Sequence, residues 1–371
     1  MDHIKKLFNI KDPYLYDDKL FVQAMRENVC WHYNQNKDYR RILDSFSFKP
    51  NDIKKITDLE NIPFIPTLYF KHHYLLSGKK RIIQINATSS GTSGRNKSMI
   101  SFDFYTLKRL FRMVIRLFKY HKILSFRFQR FVIFGYEHTF RNNKAVAKSA
   151  WAFTFTSPAK SKDYAIRYVD GEYKVDLPNI ERKLVKYAKG STPVRTLGFP
   201  AYTYFLLKQM NEHGINVKLP KGSLMTLGGG WKQFTAEKVS KEDFYKLAKK
   251  VLGLDSESII EFFGAVEHPI MWTQCKCHHF HVPAYARVII RDADTLVPLP
   301  HGQKGLINLL TPASKSCPLS SIMTDDIGII HDEECPCGIK TPYLEILGRV
   351  GIDDIKTCAE GATELLKSDK K

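Results

Sequence analysis

The sequence predicts an α/β fold with a largely parallel sheet, followed by a smaller β-rich subdomain. Short apolar runs, RFVIFGY (130–136), PVRTLGF (193–199), GSLMTLGG (222–229) and SIIEFFGA (258–265), alternate with segments of helical apolar spacing such as TYFLLKQMNEHG and KEDFYKLAKKVLG. Strands alternating with helices of that length build parallel sheets covered by helices. After His268 the texture changes to β-rich segments, YARVIIRD and KGLINLLT, with turn residues between them. No internal repeat and no long Gly/Ser or Pro linker interrupts the chain. The expected parts are an α/β body over 1–267, a β-rich subdomain over 268–347 and a short terminal segment over 348–371.

Taken in order, the stretch from Tyr14 to Ser45 is helical by the spacing of Leu20, Phe21, Ala24, Met25 and Val29. Pro63 and Pro66 in NIPFIPTLYFKHH forbid a continuing helix, because proline lacks the N–H that the ladder needs. The β-like run RIIQINA leads into TSSGTSGRNKS, and SFDFYTLKRLFRMVIRLFKY then has helical spacing, with Ser101 and Asp103 as candidate caps. The expected order is strand, polar glycine loop, helix.

With 371 residues, 43% hydrophobic and 26% charged, the composition excludes disordered and collagen-like chains. No apolar run approaches the roughly 18–20 residues of a membrane helix, and MDHIKKLFNIKD lacks the apolar stretch of a secretory signal, so a cytoplasmic location is the default expectation. Lys and Arg total 57 against 38 Asp and Glu, a net charge of +19 that draws a protein toward an anionic partner. Nucleic acid, nucleotides, acidic proteins and membrane surfaces all qualify. The 7 cysteines include close C-x-C pairs, which suit metal binding better than disulfides in a reducing cytosol.

The run Thr88-Ser89-Ser90-Gly91-Thr92-Ser93-Gly94-Arg95-Asn96-Lys97-Ser98 has what a phosphate-gripping loop needs. Glycines let backbone N–H groups turn toward phosphate oxygens, hydroxyls add donors, and the cation offsets negative charge. It is not the G-x-x-x-x-G-K-[ST] loop, since Arg-Asn-Lys follows Gly94. The alternative is an exposed Ser/Gly turn; the expected strand and helix on either side favour the phosphate reading.

A Cys/His cluster stands apart from this loop. Cys275-Lys276-Cys277-His278-His279-Phe280-His281 is answered some 60 residues later by Cys335-Pro336-Cys337-Gly338. Thiolates and imidazoles in two close groups suit tetrahedral zinc. If 275–281 is extended, Cys275, Cys277, His279 and His281 share a face. The preferred set is Cys275, His281, Cys335 and Cys337, with Cys277 and His279 as alternates; the competing reading is a set of reduced, buried cysteines. No open position or nearby base is evident, so the zinc would be structural.

The basic run Lys108, Arg109, Arg112, Arg116, Lys119, Lys122, Arg127, Arg130 contains no acid between Asp103 and Glu137, and its aromatics invite a nucleic-acid reading. The apolar stripe Leu110, Val114, Leu117, Phe118 supports a plainer one, an amphipathic helix with core aromatics and solvated charges. A docking face for an acidic carrier or partner enzyme is the second choice. His138, in GYEHTF, is expected to be a hydrogen-bonded core histidine, the alternative being a place near the acid pocket.

The glycine loop resembles the nucleotide signature of the adenylate-forming superfamily, TSGTTG-x-PK, with Asn96 where that pattern has Pro. Other signatures of the superfamily follow in order. Leu227-Gly228-Gly229-Gly230 resembles its adenine-facing glycine turn, and Phe263-Gly264-Ala265-Val266-Glu267 resembles YG-x-TE, with Phe for Tyr and Val for Thr. Thr324-Asp325-Asp326 resembles TGD, and Gly348-Arg349 resembles the GR that begins the hinge. The resemblance implies an ATP site built from Ser89, Ser90, Gly91, Thr92, Ser93, Gly94, Gly228, Gly229, Gly230, Phe263 and Gly264. Lys97 would stabilise phosphate charge, Glu267 would be a hard oxygen ligand for Mg²⁺, and Asp326 with Arg349 would orient the nucleoside. Taken singly, Glu267 could be a solvated loop carboxylate and Asp326 an ordinary turn residue.

The chain ends 22 residues beyond Arg349, without the larger C-terminal domain common in the superfamily. With GFPAY (198–202) and GGGWK (228–232), this looks most like the acyl-protein synthetases, the fatty-acid-activating component of the bacterial bioluminescence reductase complex. The resemblance implies MgATP-dependent activation of a carboxylic, expectedly fatty, acid as acyl-adenylate. Acyl transfer to a cysteine near the C-terminus and then to an acyl-CoA-reductase-like partner would follow; Cys358, in KTCAEGA, stands in the matching place, with Lys356 two residues before it. The rival enzyme is a phenylacetate-type coenzyme A ligase. From a different class, a zinc-stabilised nucleic-acid-binding protein would explain the charge but leaves TSSGTSG, FGAVE and TDD without a role.

Overall fold

The computed structural model describes residues 2–78, 83–88, 98–139, 145–169, 172–229 and 239–349. Helices α1 (Asp2–Leu7), α2 (Asp18–Gln35) and α3 (Lys37–Ser45) precede the short strand β1 (Ile65–Pro66), α4 (Tyr69–His72), strands β2 (Ile83–Thr88) and β3 (Met99–Asp103), and α5 (Phe104–Tyr120). Next come β4 (Gln129–Tyr136), α6 (Ala145–Phe153), β5 (Ala159–Val169), β6 (Glu172–Val175), α7 (Leu177–Ala188), β7 (Val194–Gly198), α8 (Pro200–Glu212), β8 (Leu224–Gly228), α9 (Lys241–Leu252) and β9 (Ile259–Ala265). The chain finishes in strands β10 (His268–Thr273), β11 (Phe280–His281), β12 (Arg287–Arg291), β13 (Pro298–Leu299), β14 (Gly305–Leu310), β15 (Ser321–His331) and β16 (Tyr343–Arg349).

These elements sort into two compact units that interleave in sequence. The first holds Met1–Tyr120, Gly264–Trp272 and His279–Lys371; the second holds His121–Phe263 and Thr273–His278.

In the second unit the strands expected from the sequence form the sheet order β9-β8-β7-β4-β5-β6, with β4, β5, β7, β8 and β9 parallel and β6 antiparallel to β5. Register places Val132, Thr196, Met225 and Ile259 side by side on one face. That face buries Ile180 and Leu184 of α7, Leu206, Leu207 and Met210 of α8, and Phe244, Ala248, Val251 and Leu252 of α9. Each large side chain buried there contributes about 1.5–3 kcal/mol. Gly198 is required by crowding, since a Cβ on it would strike the side chain of Phe134.

The first unit is built on a mainly antiparallel sheet ordered β11-β16-β15-β14-β12-β13, with β1 pairing in parallel to β15. Pro63 and Pro66 therefore mark an edge strand rather than a helix, as proline's missing donor requires. Asn36 ends α2 and caps α3, its Oδ1 accepting from Tyr39 N at 2.9 Å.

The sequence reading needs one change here. The polar glycine loop leads from β2 into β3, an antiparallel partner, and α5 begins only afterwards. The run from Met99 to Asp103 alternates enough to pair as a strand, burying Ile100 and Phe102. Asp103 does cap α5, accepting from Thr106 N at 2.9 Å, whereas Ser101 lies in the strand and its carbonyl accepts from Ser316 Oγ at 2.5 Å.

In α5 Leu117 and Phe118 of the expected stripe are buried together with Met113, while Leu110 and Val114 are only half-buried. Its charges are not simply solvated. Arg109 donates to Ala313 O at 2.9 Å, Arg112 to Asn9 Oδ1 at 3.0 Å and Arg116 to Phe8 O at 2.6 Å. The aromatics divide: Phe118 is core, but Phe111, Tyr120, Phe126 and Phe128 are exposed.

His32 is fully buried between α2 and the 311–320 segment, with Nδ1 2.7 Å from Ser77 Oγ and Nε2 3.2 Å from Ser314 O. Burial pushes its pKa down to about 3, against a carbonyl bond that pulls the other way. A folded pKa below the unfolded value means that the unfolded chain binds the proton first. Stability is then complete above the unfolded value near 6.5 and is lost as pH falls toward about 3. The expected loss is about 1.4 kcal/mol per pH unit in that window. Thermal melts of the wild type between pH 7 and pH 4, with His32→Gln showing a shallower slope, measure it.

Candidate functional site

In the first unit, β15 and β16 bring the acidic motif opposite the arginine. Asp326 pairs in register with Arg349, and Arg349 Nε donates to Asp326 Oδ1 at 3.1 Å. Asp326 is buried, and its N–H bonds Thr324 Oγ1 at 3.2 Å, while Thr324 Oγ1 donates to Ile307 O at 3.0 Å. Burial raises the Asp326 pKa above the usual carboxylate range; Arg349 pulls it back only in part. Burial works against the Arg349 charge, but the carboxylates of Asp326, Asp325 and Glu267 outweigh it, and the net direction is up. Glu267 is itself buried, so the first unit gathers three acids and one arginine around one strand pair. Asp325 is tied differently, accepting from Thr67 Oγ1 at 3.1 Å, a contact 258 residues apart in sequence that no local pattern signals.

In the second unit, Gly228 ends β8 and Gly229 follows with φ +83°, a left-handed conformation open to glycine at no steric cost. Phe263 lies half-buried near the end of β9. Both lie at the carboxyl ends of parallel strands, where open α/β sheets bind ligands. Gly264, next to last in β9 and counted with the first unit, is exposed. His138 stacks on Trp151 at 5.0 Å and is half-buried. Ser89, Ser90, Gly91, Thr92, Ser93, Gly94, Lys97, Gly230 and Cys358 lie outside the described residues.

The Cys/His cluster is drawn together. Within the first unit, ligand atoms of His279, His281 and Cys335 lie within 4.8 Å of one another. His279 Nδ1 is 3.3 Å from Cys335 Sγ, and Cys337 Sγ is 3.3 Å from His281 Nε2. Strand pairing sets His281 opposite Tyr343, and His279 stacks on the Tyr343 ring at 4.0 Å. His281 Nδ1 is 2.7 Å from Thr341 O, a bond that assigns the proton to Nδ1 and leaves the Nε2 lone pair for a ligand. In each C-x-C segment a backbone N–H two residues on bonds one sulfur: Cys277 N donates to Cys275 Sγ, the first of its pair, and Ile339 N to Cys337 Sγ, the second of its pair, each at 3.3 Å. Gly338, at φ +91°, allows the second turn. Such N–H bonds stabilise thiolate charge, as a metal ligand needs. Of the six cysteines described, none is in a disulfide.

The chain has the fold of the adenylate-forming ligases. Solved structures of 2-hydroxyisobutyryl-CoA ligase share the fold: with 2-HIB-AMP in the postadenylation state, TM-score 0.64 at 15% identity over 90% of this chain and 68% of that one. An open form with 2-HIB-AMP and coenzyme A gives TM-score 0.64 at 15% identity over 92% and 78%. A family profile for acyl-protein synthetases matches residues 10–367, and the chain belongs to that family. It is similar to the long-chain-fatty-acid–luciferin-component ligases of Vibrio harveyi, 28% identical over 89% of this chain and 83% of the relative, and of Aliivibrio fischeri, 26% identical over 94% and 89%. Among the described residues no helix is long and apolar enough to cross a membrane.

Proposed function

We propose that this ligase activates a long-chain fatty acid with MgATP as its acyl-adenylate and then passes the acyl group to its own Cys358 for delivery to a partner reductase or other acceptor. The observation that carries the reading is the family match over residues 10–367. Fatty acid is the substrate class named for both similar ligases.

In the first step a carboxylate oxygen attacks the α-phosphorus of ATP, the bond to pyrophosphate breaks, and pyrophosphate leaves. Lys97 and the donors from Ser89 to Gly94 hold phosphate charge, and Glu267 would hold Mg²⁺, which would supply neutralisation of the phosphate charge. Gly228, Gly229 and Gly230, with Phe263 and Gly264, receive adenine. The cross-strand pair Asp326–Arg349 supports its assigned role, since a carboxyl oriented by a guanidinium can accept hydrogen bonds from ribose hydroxyls. In the second step the Cys358 thiolate attacks the acyl carbon, the acyl–phosphate oxygen bond breaks and AMP leaves.

Zinc belongs to the same proposal as a structural ion. The donor set fits it: two sulfurs and two imidazole nitrogens, one with its tautomer fixed by Thr341. Of the set preferred from the sequence, Cys275, His281 and Cys335 keep their places; the alternate His279 competes with Cys337 for the fourth, and Cys277 remains the other alternate.

The adenylation step is tested by carboxylate-dependent ATP–pyrophosphate exchange across short, aromatic and long-chain acids. Long-chain acids should support it best. Lys97→Ala and Asp326→Ala should each lower the rate at least about tenfold, the loss of roughly 1.4 kcal/mol of transition-state stabilisation. Full exchange in both variants would remove these residues from the mechanism.

A further inference from the structure

The basic, aromatic segment that separates the two halves of the chain finds no place in the ligase chemistry. In the second unit the loop before β4 exposes Phe126 entirely, at 102%, and Phe128 at 64%, while the loop after α6 exposes Phe155 at 62%. The two loops are tied together, Ser125 N to Thr156 O at 3.0 Å and Gln129 N to Pro158 O at 2.9 Å. The three rings therefore belong to one patch. Cations surround it: Lys122, Arg127, Lys160 and Lys162 are exposed, and Lys162 Nζ sits 4.6 Å from the Phe155 ring centroid. From His121 to Lys162 the sequence holds eight Lys or Arg and one acid, Glu137, which accepts from Tyr168 N at 3.1 Å.

Phenylalanine has no polar tip to justify full exposure, and three such rings on one patch exceed the scattered apolar surface of a soluble domain. Rings on loop tips ringed by cations suit an interface whose outer layer is anionic and whose inner layer is hydrocarbon. Single-stranded nucleic acid asks instead for a groove that tracks a backbone with rings laid along it. We propose that Phe126, Phe128 and Phe155, with Lys122, Arg127, Lys160 and Lys162, form a docking surface for an anionic lipid bilayer. Gln129 and Ala159 open the parallel strands β4 and β5, whereas Gly228 closes β8, so the patch lies at the opposite end of this sheet from the glycine turn. Docking leaves that turn uncovered. The inference stands apart from the ligase reading, because it needs only the patch.

Vesicle flotation tests it, using phosphatidylcholine alone and phosphatidylcholine mixed with phosphatidylglycerol. The wild type should float with the mixed vesicles, less so as salt rises, and not with the neutral ones. The double variant Phe126→Ser, Phe128→Ser keeps every charge and should bind the mixed vesicles at least about tenfold more weakly. Arg127→Glu should weaken binding and flatten its salt dependence, and Arg127→Lys should retain it. The three altered residues are exposed on one loop, so thermal melts should match the wild type. Undiminished binding by the Phe variant would assign the affinity to net charge and overturn the proposal. So would absence of vesicle binding, or an oligonucleotide or acidic protein that depends on Phe126 and Phe128 while vesicles do not.

Discussion

Cys358→Ser is expected to abolish covalent acylation while leaving the activation of the acid intact. Incubated with ATP and labelled fatty acid, the wild type should acquire label that neutral hydroxylamine removes, because a thioester yields to that amine and an amide does not. The serine variant should fall to background labelling, since an alkoxide at neutral pH is far scarcer than a thiolate. Adenylation is a separate bond-making event at the nucleotide site, so ATP–pyrophosphate exchange should stay within about twofold of wild type. This split distinguishes an acyl acceptor from a residue that merely holds the fold, which would lower both. Label that persists in Cys358→Ser, or acid activation that ends in free acyl-coenzyme A with no protein thioester, would transfer the assignment to a coenzyme A ligase.

The second large effect concerns the Cys/His cluster. Purified protein should hold about one equivalent of zinc, measured by elemental analysis. Cys335→Ser removes the sulfur that stands 3.3 Å from His279 Nδ1, and should release the metal. A structural ion contributes folding free energy directly, so several kcal/mol should go with it and the melting temperature should fall by roughly 5–10 °C. Strands β11 and β16 meet at His281 and Tyr343, so the loss should be felt along the edge of the antiparallel sheet, as faster amide exchange there. His279→Ala and Cys337→Ser separate the two candidate fourth ligands, since only the true ligand should lower the bound zinc. Metal-free wild type of undiminished stability would end the zinc assignment.

Much of the fold is legible in the sequence because apolar periodicity is local. The strands at 129–136, 194–198, 224–228 and 259–265 and the helices at 200–212 and 241–252 follow from which residues must be buried and at what spacing. The helix at 104–120 is legible for the same reason, and its cap Asp103 as well. What failed locally was β3: five residues of mixed character before a strong helix look like a helix start, and only pairing with β2, across the loop, makes them a strand. The aromatics of the basic run failed in another way. Composition treats Phe118 and Phe126 alike, but Phe118 lies on the buried face of α5 and Phe126 on an open loop.

The site divides along the same line. Residue chemistry and motif order in the sequence name Glu267, Asp326, Arg349 and the Cys/His candidates, because carboxylates, guanidinium groups, thiols and imidazoles are recognisable wherever they occur. Which groups meet is a question of register and chain return. The antiparallel pairing of β15 with β16 puts Arg349 on Asp326, 23 residues away, and the contact of Thr67 with Asp325 crosses 258. The backbone carbonyl of Thr341, which fixes the tautomer of His281, has no signature in sequence, since every residue carries one. Sequence by itself thus determined the elements other than β3, the side-chain chemistry available and the family, all set by local periodicity, side-chain type and motif order. Tertiary structure alone decided the interleaving of the two units, the partners of each charged group and which aromatics face solvent, because those depend on contacts between segments far apart along the chain.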